Sequence, residues 1–263
     1  MAHGFSAVKE MGLEGYADRF SSAGFITLVF DYRHFGESEG EPRGQLFPQD
    51  QVDDYRNAIS WLSHHPQVDP ERIGVWGTSQ SGGTVLHLAA FDRRVKAVVS
   101  QVPNTWSPEQ RLIRTPAKLG LRTLLGKDRT DRCNSDALNY MKVVAPQGEA
   151  CALSTVDSYE FFTSAKDSAP NWRNEVTLES MEKVFEFDPV GPIRLIAPTP
   201  LLMVVDENDS LIPSDMSRAA FERAGEPKKL VMLPCGHFDV YGEPWFGKIV
   251  DLEVDWFKQY LKK

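Results

Sequence analysis

An α/β architecture, built on a mostly parallel sheet with helices on both faces and one helical insertion, is what this sequence predicts. Three observations carry it. Short apolar runs of strand length alternate with stretches of helical periodicity, the pattern that buries a parallel sheet on both sides. The run Ile73-Gly74-Val75-Trp76 enters Gly77-Thr78-Ser79-Gln80-Ser81-Gly82-Gly83 and leaves as Val85-Leu86-His87-Leu88, a strand, a tight turn and a helix with serine at the bend. Alternation stops between residues 103 and 190, where helical and aromatic-rich segments replace strands, and then resumes.

In chain order, Leu13, Tyr16, Ala17, Phe20 and Ala23 recur at helical spacing until Gly24. Phe25 to Phe30 is a continuous apolar run expected to be a strand covered on both faces. Asp31 to Ser38 begins a glycine-containing loop, and Pro48 opens a helix with Val52, Tyr55, Ile59 and Leu62 on one side, closed by His64-His65-Pro66. After the Asp69-Pro70 turn come the serine turn, its helix to about Phe91, and a strand at Val95 to Val99. In the insertion, Arg111 to Leu125 and Asp136 to Val144 read as helices, and Thr155 to Ala165 is rich in aromatics. Pro200 to Val205 is a strand that runs into Asp206 to Pro213 and a helix from Ser214. Leu230 to Leu233 is a strand leading to Pro234-Cys235-Gly236-His237-Phe238, and a last amphipathic helix starts near Pro244. This divides the chain into a core of 1–102 with 191–263 and a cap of 103–190, with Trp106, Tyr140, Tyr159, Phe161, Phe162 and Trp172 as candidate pocket lining.

Composition removes several classes of function. The 263 residues suffice for one full core, and 41% hydrophobic with 25% charged residues is ordinary for a globular chain. Lys plus Arg number 29 against 37 Asp plus Glu, a net charge of -8 that disfavours nucleic acid as a partner. Cys133, Cys151 and Cys235 are scattered, so neither a disulfide framework nor a zinc site is suggested. No apolar run approaches the roughly 18 residues of a membrane span, and the first twenty lack a signal-peptide core, so the cytoplasm is the default location.

Serine is a weak nucleophile, and acyl transfer through it needs a base, an acid that orients the base, and donors for the oxyanion. Ser79 follows one strand, Asp209 lies in the loop after a second, and His237 follows a third, in the order Ser, Asp, His. Asp206 competes for the acid position because it follows its strand directly, but Asp209 better fits the spacing to Pro213.

These motifs together resemble the α/β-hydrolases. His3-Gly4-Phe5 is similar to the family's oxyanion loop, Asp31 to Ser38 to its D-x-R-G-x-G-x-S turn with His34 in place of a glycine, Asp209 to Pro213 to its D-x-x-x-P acid loop, and Gly236-His237 to its histidine loop. His3 to Met11 and Gly36 to Arg43 more narrowly resemble fungal polyketide transferases and thiohydrolases. The resemblance implies an α/β-hydrolase fold and a serine hydrolase or acyltransferase without metal or cofactor. Ser79, His237 and Asp209 would be its triad, and the backbone N–H groups of Phe5 and Gln80 its oxyanion hole. An ester or thioester would be its substrate, with an acyl carrier protein as a candidate donor, a carboxylesterase or lactonase as the alternative, and a homodimer left open. His34 is a candidate pocket residue; Asp31, Arg33 and Glu37 are expected to stabilise their own turn, His87 to be packed, and His64 and His65 to end a helix.

Two departures keep a different class in view, a ligand binder without efficient chemistry. Ser81 stands where the motif has its last glycine. In the resembled fold the strand that feeds His3-Gly4 lies between those at Phe25 and Ile73, and that strand and two edge strands are missing, so the expectation is a shortened N-terminus. An open central lane would leave buried backbone groups unpaired at about 1 to 3 kcal/mol each.

Overall fold

The computed structural model describes residues 1–114, 119–135 and 138–262. Its main sheet has four parallel strands, β1 (Gly74–Thr78), β2 (Ala97–Gln101), β5 (Leu201–Asp206) and β6 (Lys228–Leu233), in the order β1-β2-β5-β6. Both faces of the first three are covered. Val75, Val98, Leu201, Met203 and Val205 point into one core, shared with helices α2 (Pro48–Ser63) and α3 (Gln80–Phe91). Their alternates Trp76, Ala97, Val99, Leu202 and Val204 point into a second core, with α1 (Glu14–Ser22) and α9 (Trp245–Leu261). This period-two division explains why the strand sequences are apolar throughout.

The turn at Ser79 is tied to the end of β2, which is tied in turn to β5. Ser79 N–H donates to the Gln101 carbonyl at 2.9 Å, Asn104 N–H to the Ser79 carbonyl at 2.8 Å, and Val102 N–H to the Val204 carbonyl at 2.8 Å. Farther along the same edge, Glu207 N–H donates to the Leu233 carbonyl at 2.8 Å and Asn208 N–H to the Cys235 carbonyl at 3.1 Å. Backbone bonds beyond the last ladder pairs therefore hold the three loops that follow β1, β5 and β6 in register with one another.

Between residues 103 and 190 lie α4 (Pro108–Arg114), α5 (Leu119–Ser135), α6 (Val156–Ser164) and α7 (Leu178–Glu186). A small antiparallel pair joins β3 (Tyr140–Met141) to β4 (Val176–Thr177). The expected helix at 136–144 is thus corrected to a strand: Tyr140 and Met141 find ladder partners in Thr177 and Val176, and the β-branched partners outweigh local helix preference. Its first two residues, Asp136 and Ala137, lie outside the described residues, as do 115–118 of the expected helix at 111–125.

A second correction concerns Phe25 to Phe30, which forms no strand; Ile26 is 54% exposed. Its neighbours explain this. Met1 links the segment toward the sheet, its terminal amino group donating to the Leu28 carbonyl at 2.7 Å and its carbonyl accepting from Phe30 N–H at 3.3 Å, while Ala2 makes a single parallel bridge to Gly77 of β1. One bridging residue does not make a ladder, so the apolar run lies beside the sheet without joining it.

Candidate active site

Strand geometry and strain set the serine. Ser79 has φ 56°, the left-handed region that a non-glycine residue adopts only when its surroundings enforce it. Gly77 permits the tight passage, because a Cβ there would lie 2.3 Å from the Ser81 carbonyl oxygen. Gln80 is the first residue of α3, so its N–H has no acceptor within the helix. The Asn104 amide donates to the Gln80 side-chain oxygen at 2.7 Å and steadies the turn from the loop after β2.

Ser79, His237 and Asp209 meet. His237 Nε2 lies 2.9 Å from Ser79 Oγ, and Nδ1 lies 2.7 Å from Asp209 Oδ2. The other Asp209 oxygen accepts from the N–H groups of Leu211 and Ile212, both at 2.8 Å, so the acid loop itself aims the carboxylate. With Nδ1–H given to Asp209, the Nε2 lone pair faces the serine hydroxyl, the tautomer a general base requires. The imidazole is 1% exposed, and Phe238 stands edge-on to it at 4.9 Å with Phe161 of α6 stacked on Phe238 at 4.5 Å.

Asp206 does not touch the histidine. It is fully buried at the end of β5, accepting from the Cys235 thiol at 3.2 Å, with its second oxygen unpartnered among the described residues. Burial pushes its carboxyl up to about 7, against the opposing pull of Cys235 and His237.

The loop His3-Gly4-Phe5 packs directly on the nucleophile: a Cβ on Gly4 would lie 3.1 Å from Ser79 Cβ. Ser81, whose sequence position looked like a weakness, proves to be a fastener. Its hydroxyl donates to the His3 carbonyl and in turn accepts from Tyr32 OH at 2.5 Å, all three groups being buried. His3 is itself enclosed, its Nδ1 3.0 Å from the Gly4 carbonyl, and burial lowers its pKa so that the neutral ring persists. Asp31 receives Lys9 N–H at 2.8 Å and Glu37 N–H at 3.0 Å, and Arg33 Nε donates to Asp54 at 2.7 Å. Asp31 and Arg33 therefore hold their turn together, as does Glu37 through its backbone.

The expected pocket residues separate. Trp106 Nε1 donates to the Leu211 carbonyl at 3.0 Å, two residues beyond Asp209, and so stands against the acid loop. Tyr159 is partly buried against the larger core, on the same helix as Phe161. Tyr140 is 42% exposed on β3, and His34 lies beside Gln45 at 3.4 Å, lining a small cavity with Trp172 and Arg173. Among the described residues no contact joins Tyr140 or His34 to Ser79. His87 is half-buried against Phe91 and Phe187, and His64 caps the end of α2. Sequence reading missed Asp157 of α6, which accepts from Ser210 in the acid loop at 2.7 Å; burial works to raise its carboxyl, but bonds from Thr155 and Ser210 hold it low. No spacing signalled that contact, whereas Phe238, adjacent to His237, was open to suspicion. Among the described residues no group of three or more His, Cys, Asp or Glu stands ready for a metal ion, and no helix is long and apolar enough to cross a membrane.

A family model described as X-Pro dipeptidyl-peptidase (S15 family) matches residues 6–239. The chain belongs to the S15 family. Among curated relatives of this S15 member, a thiohydrolase of Aspergillus aculeatus, aneE, is 34% identical over 88% of this chain and 74% of its own length. A quorum-quenching protein of Acinetobacter baumannii, AidA, is 32% identical over 99% of this chain and 86% of its own. A polyketide transferase of Stachybotrys chlorohalonatus, ATR5, is 31% identical over 100% and 88%. Of solved structures, DcsB in complex with a substrate analogue superposes with TM-score 0.89 at 29% identity, covering 99% of this chain and 89% of that one. The α/β hydrolase GrgF from Penicillium does so at 0.85 and 26%, covering 100% and 89%. The S15 member therefore has the α/β-hydrolase fold, and the resemblance to fungal thiohydrolases and polyketide transferases holds along nearly the whole chain.

Proposed function

We propose that this protein is a serine acyl hydrolase or acyltransferase acting on an ester or thioester. The observation that carries this reading is the continuous relay from Ser79 Oγ through His237 to Asp209 at 2.9 and 2.7 Å. Ser79 Oγ attacks the acyl carbonyl as His237 Nε2 takes its proton, and Asp209 steadies the resulting imidazolium. The backbone N–H groups of Gln80 and Phe5 receive the oxyanion. Collapse of the tetrahedral adduct breaks the bond to the leaving alcohol or thiol, which departs with the proton from His237, and the acyl group stays on Ser79 as an ester. Water or a second alcohol, deprotonated by His237, then attacks that ester and releases the acid or the transferred product with Ser79 restored.

Residues 103–190 act as a cap over the strand ends. Trp106 on Leu211, Asp157 on Ser210 and Phe161 on Phe238 support this, since each ties the segment to the acid or histidine loop. The name of the polyketide transferase relative favours a polyketide acyl chain as the group transferred, and an acyl carrier protein is the donor whose thioester this chemistry would accept. Ser79→Ala should remove turnover of a p-nitrophenyl ester and an N-acetylcysteamine thioester, and labelling by a fluorophosphonate, by a factor on the order of 10⁴ or more. Unchanged labelling or turnover would defeat the reading. Product analysis with and without an added alcohol separates hydrolysis from transfer.

A further inference from the structure

The loop proposed to receive the oxyanion carries a strained residue just after its donor. Ala7 N–H donates to the Gly4 carbonyl at 3.4 Å, closing a turn with Phe5 and Ser6 at its centre. Ser6 has φ 52°, the left-handed conformation for which the third position of a turn favours glycine. Its own side chain supplies no restraint. The residue is 1% exposed, and its Oγ has no hydrogen-bond partner among the described residues.

Restraint comes from far along the chain. Trp172 Nε1 donates to the Ser6 carbonyl at 3.0 Å, across 166 residues. Trp172 is itself fixed twice, by its backbone N–H on the Ala169 carbonyl at 3.0 Å and by the ring of Phe162, 5.3 Å away. Phe162 belongs to α6, and the residue before it, Phe161, lies 4.5 Å from Phe238 and 5.2 Å from Tyr241, both in the segment that follows His237. One helix and the loop after it thus touch both the histidine loop and the turn at Ser6.

Two side chains bracket the donor. Ser81 Oγ donates to the His3 carbonyl, before Phe5, and Trp172 Nε1 to the Ser6 carbonyl, after it. We propose that Trp172 is a positioning residue for the oxyanion: its indole N–H holds Ser6 in the left-handed turn and so fixes the Phe5 N–H, a role that rests on the assignment of Ser79 and Phe5 given above. The cap then takes part in the chemistry by holding a donor, besides covering the strand ends. A displaced donor is felt by the tetrahedral oxyanion and not by the bound ester, so the loss belongs in kcat.

The test replaces Trp172 by β-(3-benzothienyl)alanine, in which sulfur takes the place of the indole N–H while the ring keeps its shape against Phe162, with Trp172→Phe as the second variant. On a p-nitrophenyl ester both should lose about tenfold or more in kcat, with KM within about twofold. A trifluoromethyl ketone, to which Ser79 Oγ adds as His237 takes its proton and the ketone oxygen becomes the oxyanion, should lose affinity by the same factor. An unchanged kcat, a rise in KM alone, or a lower thermal midpoint with kcat intact would overturn the proposal. So would a fall in kcat that the affinity for the ketone does not follow. Fluorophosphonate labelling of the parent separates these results from the reading of the site. A parent that is not labelled at Ser79 defeats both, whereas a labelled parent whose benzothienyl variant keeps full kcat defeats the role of Trp172 alone.

Discussion

The two halves of the candidate site are built differently. Ser79, Asp209 and His237 stand on loops that leave three strands, each paired along its length, and the loops continue to exchange backbone bonds past the sheet edge. The loop His3-Gly4-Phe5 follows two bonds of Met1 to Leu28 and Phe30 and a single bridge at Ala2, and side chains keep it in place: Ser81 and Tyr32 beneath it, and Trp172 Nε1 on the Ser6 carbonyl at 3.0 Å. A motif placed by a ladder inherits the rigidity of the sheet. One placed by side-chain bonds depends on a few buried donors, each worth about 1 kcal/mol net but more when a partner is left unsatisfied.

The largest effect should come from the ladder-held half. Asp209→Asn should lower kcat by about 10³ to 10⁴ with little change in KM, because the amide favours the wrong histidine tautomer. Asp206→Asn should leave kcat within about threefold. Equal losses at both positions, measured on the same ester, would break the distinction drawn between the two carboxyls. In the side-chain-held half, Gly4→Ala should lower kcat by about 10²-fold as its methyl pushes the loop off Ser79 and displaces the Phe5 N–H, a loss of the size found for one oxyanion donor. Ser81→Ala, which cuts the bond to the His3 carbonyl, should lower kcat about tenfold with KM unchanged, and Ser81→Thr should recover part of it. If Ser81→Ala changes thermal stability alone, the tie is structural and the comparison fails there.

The smallest effect is a pH dependence. The Asp206 carboxyl is raised by burial, so the folded state binds its proton more tightly than the unfolded chain does. The stability this contributes is complete below the unfolded value of about 4 and is lost as pH rises through about 7. Asp206→Asn should therefore gain on the parent by about 2 to 4 kcal/mol between pH 4 and pH 8, read by denaturant unfolding at each pH. A constant difference across that range would mean that the carboxyl is ionised throughout.

How far the sequence could be read differs along the same line. The parallel sheet, the strand-turn-helix at Ser79 and the contacting acid and histidine were legible because each depends on local apolar runs and turn residues that recur at strand ends. The helix expected at 136–144 failed because Tyr140 and Met141 pair with Val176 and Thr177, more than thirty residues away and invisible to a local window. His34 at the end of an apolar run and Tyr140 among the aromatics of residues 103–190 are pocket candidates by position, and the structure sets them beside Gln45 and on β3.

By itself, then, the order of residues determined the four strands β1, β2, β5 and β6 and the three side chains that follow β1, β5 and β6, since periodicity and turn chemistry act over a few residues. Tertiary structure alone decided that Phe25 to Phe30 forms no strand and that Ser81 fastens the His3-Gly4-Phe5 loop together with Tyr32, while the contact of His237 with Asp209 agrees with the spacing to Pro213. Each of those outcomes turns on a neighbour far away in the chain, and a strand or a hydroxyl has no partner until the fold supplies one.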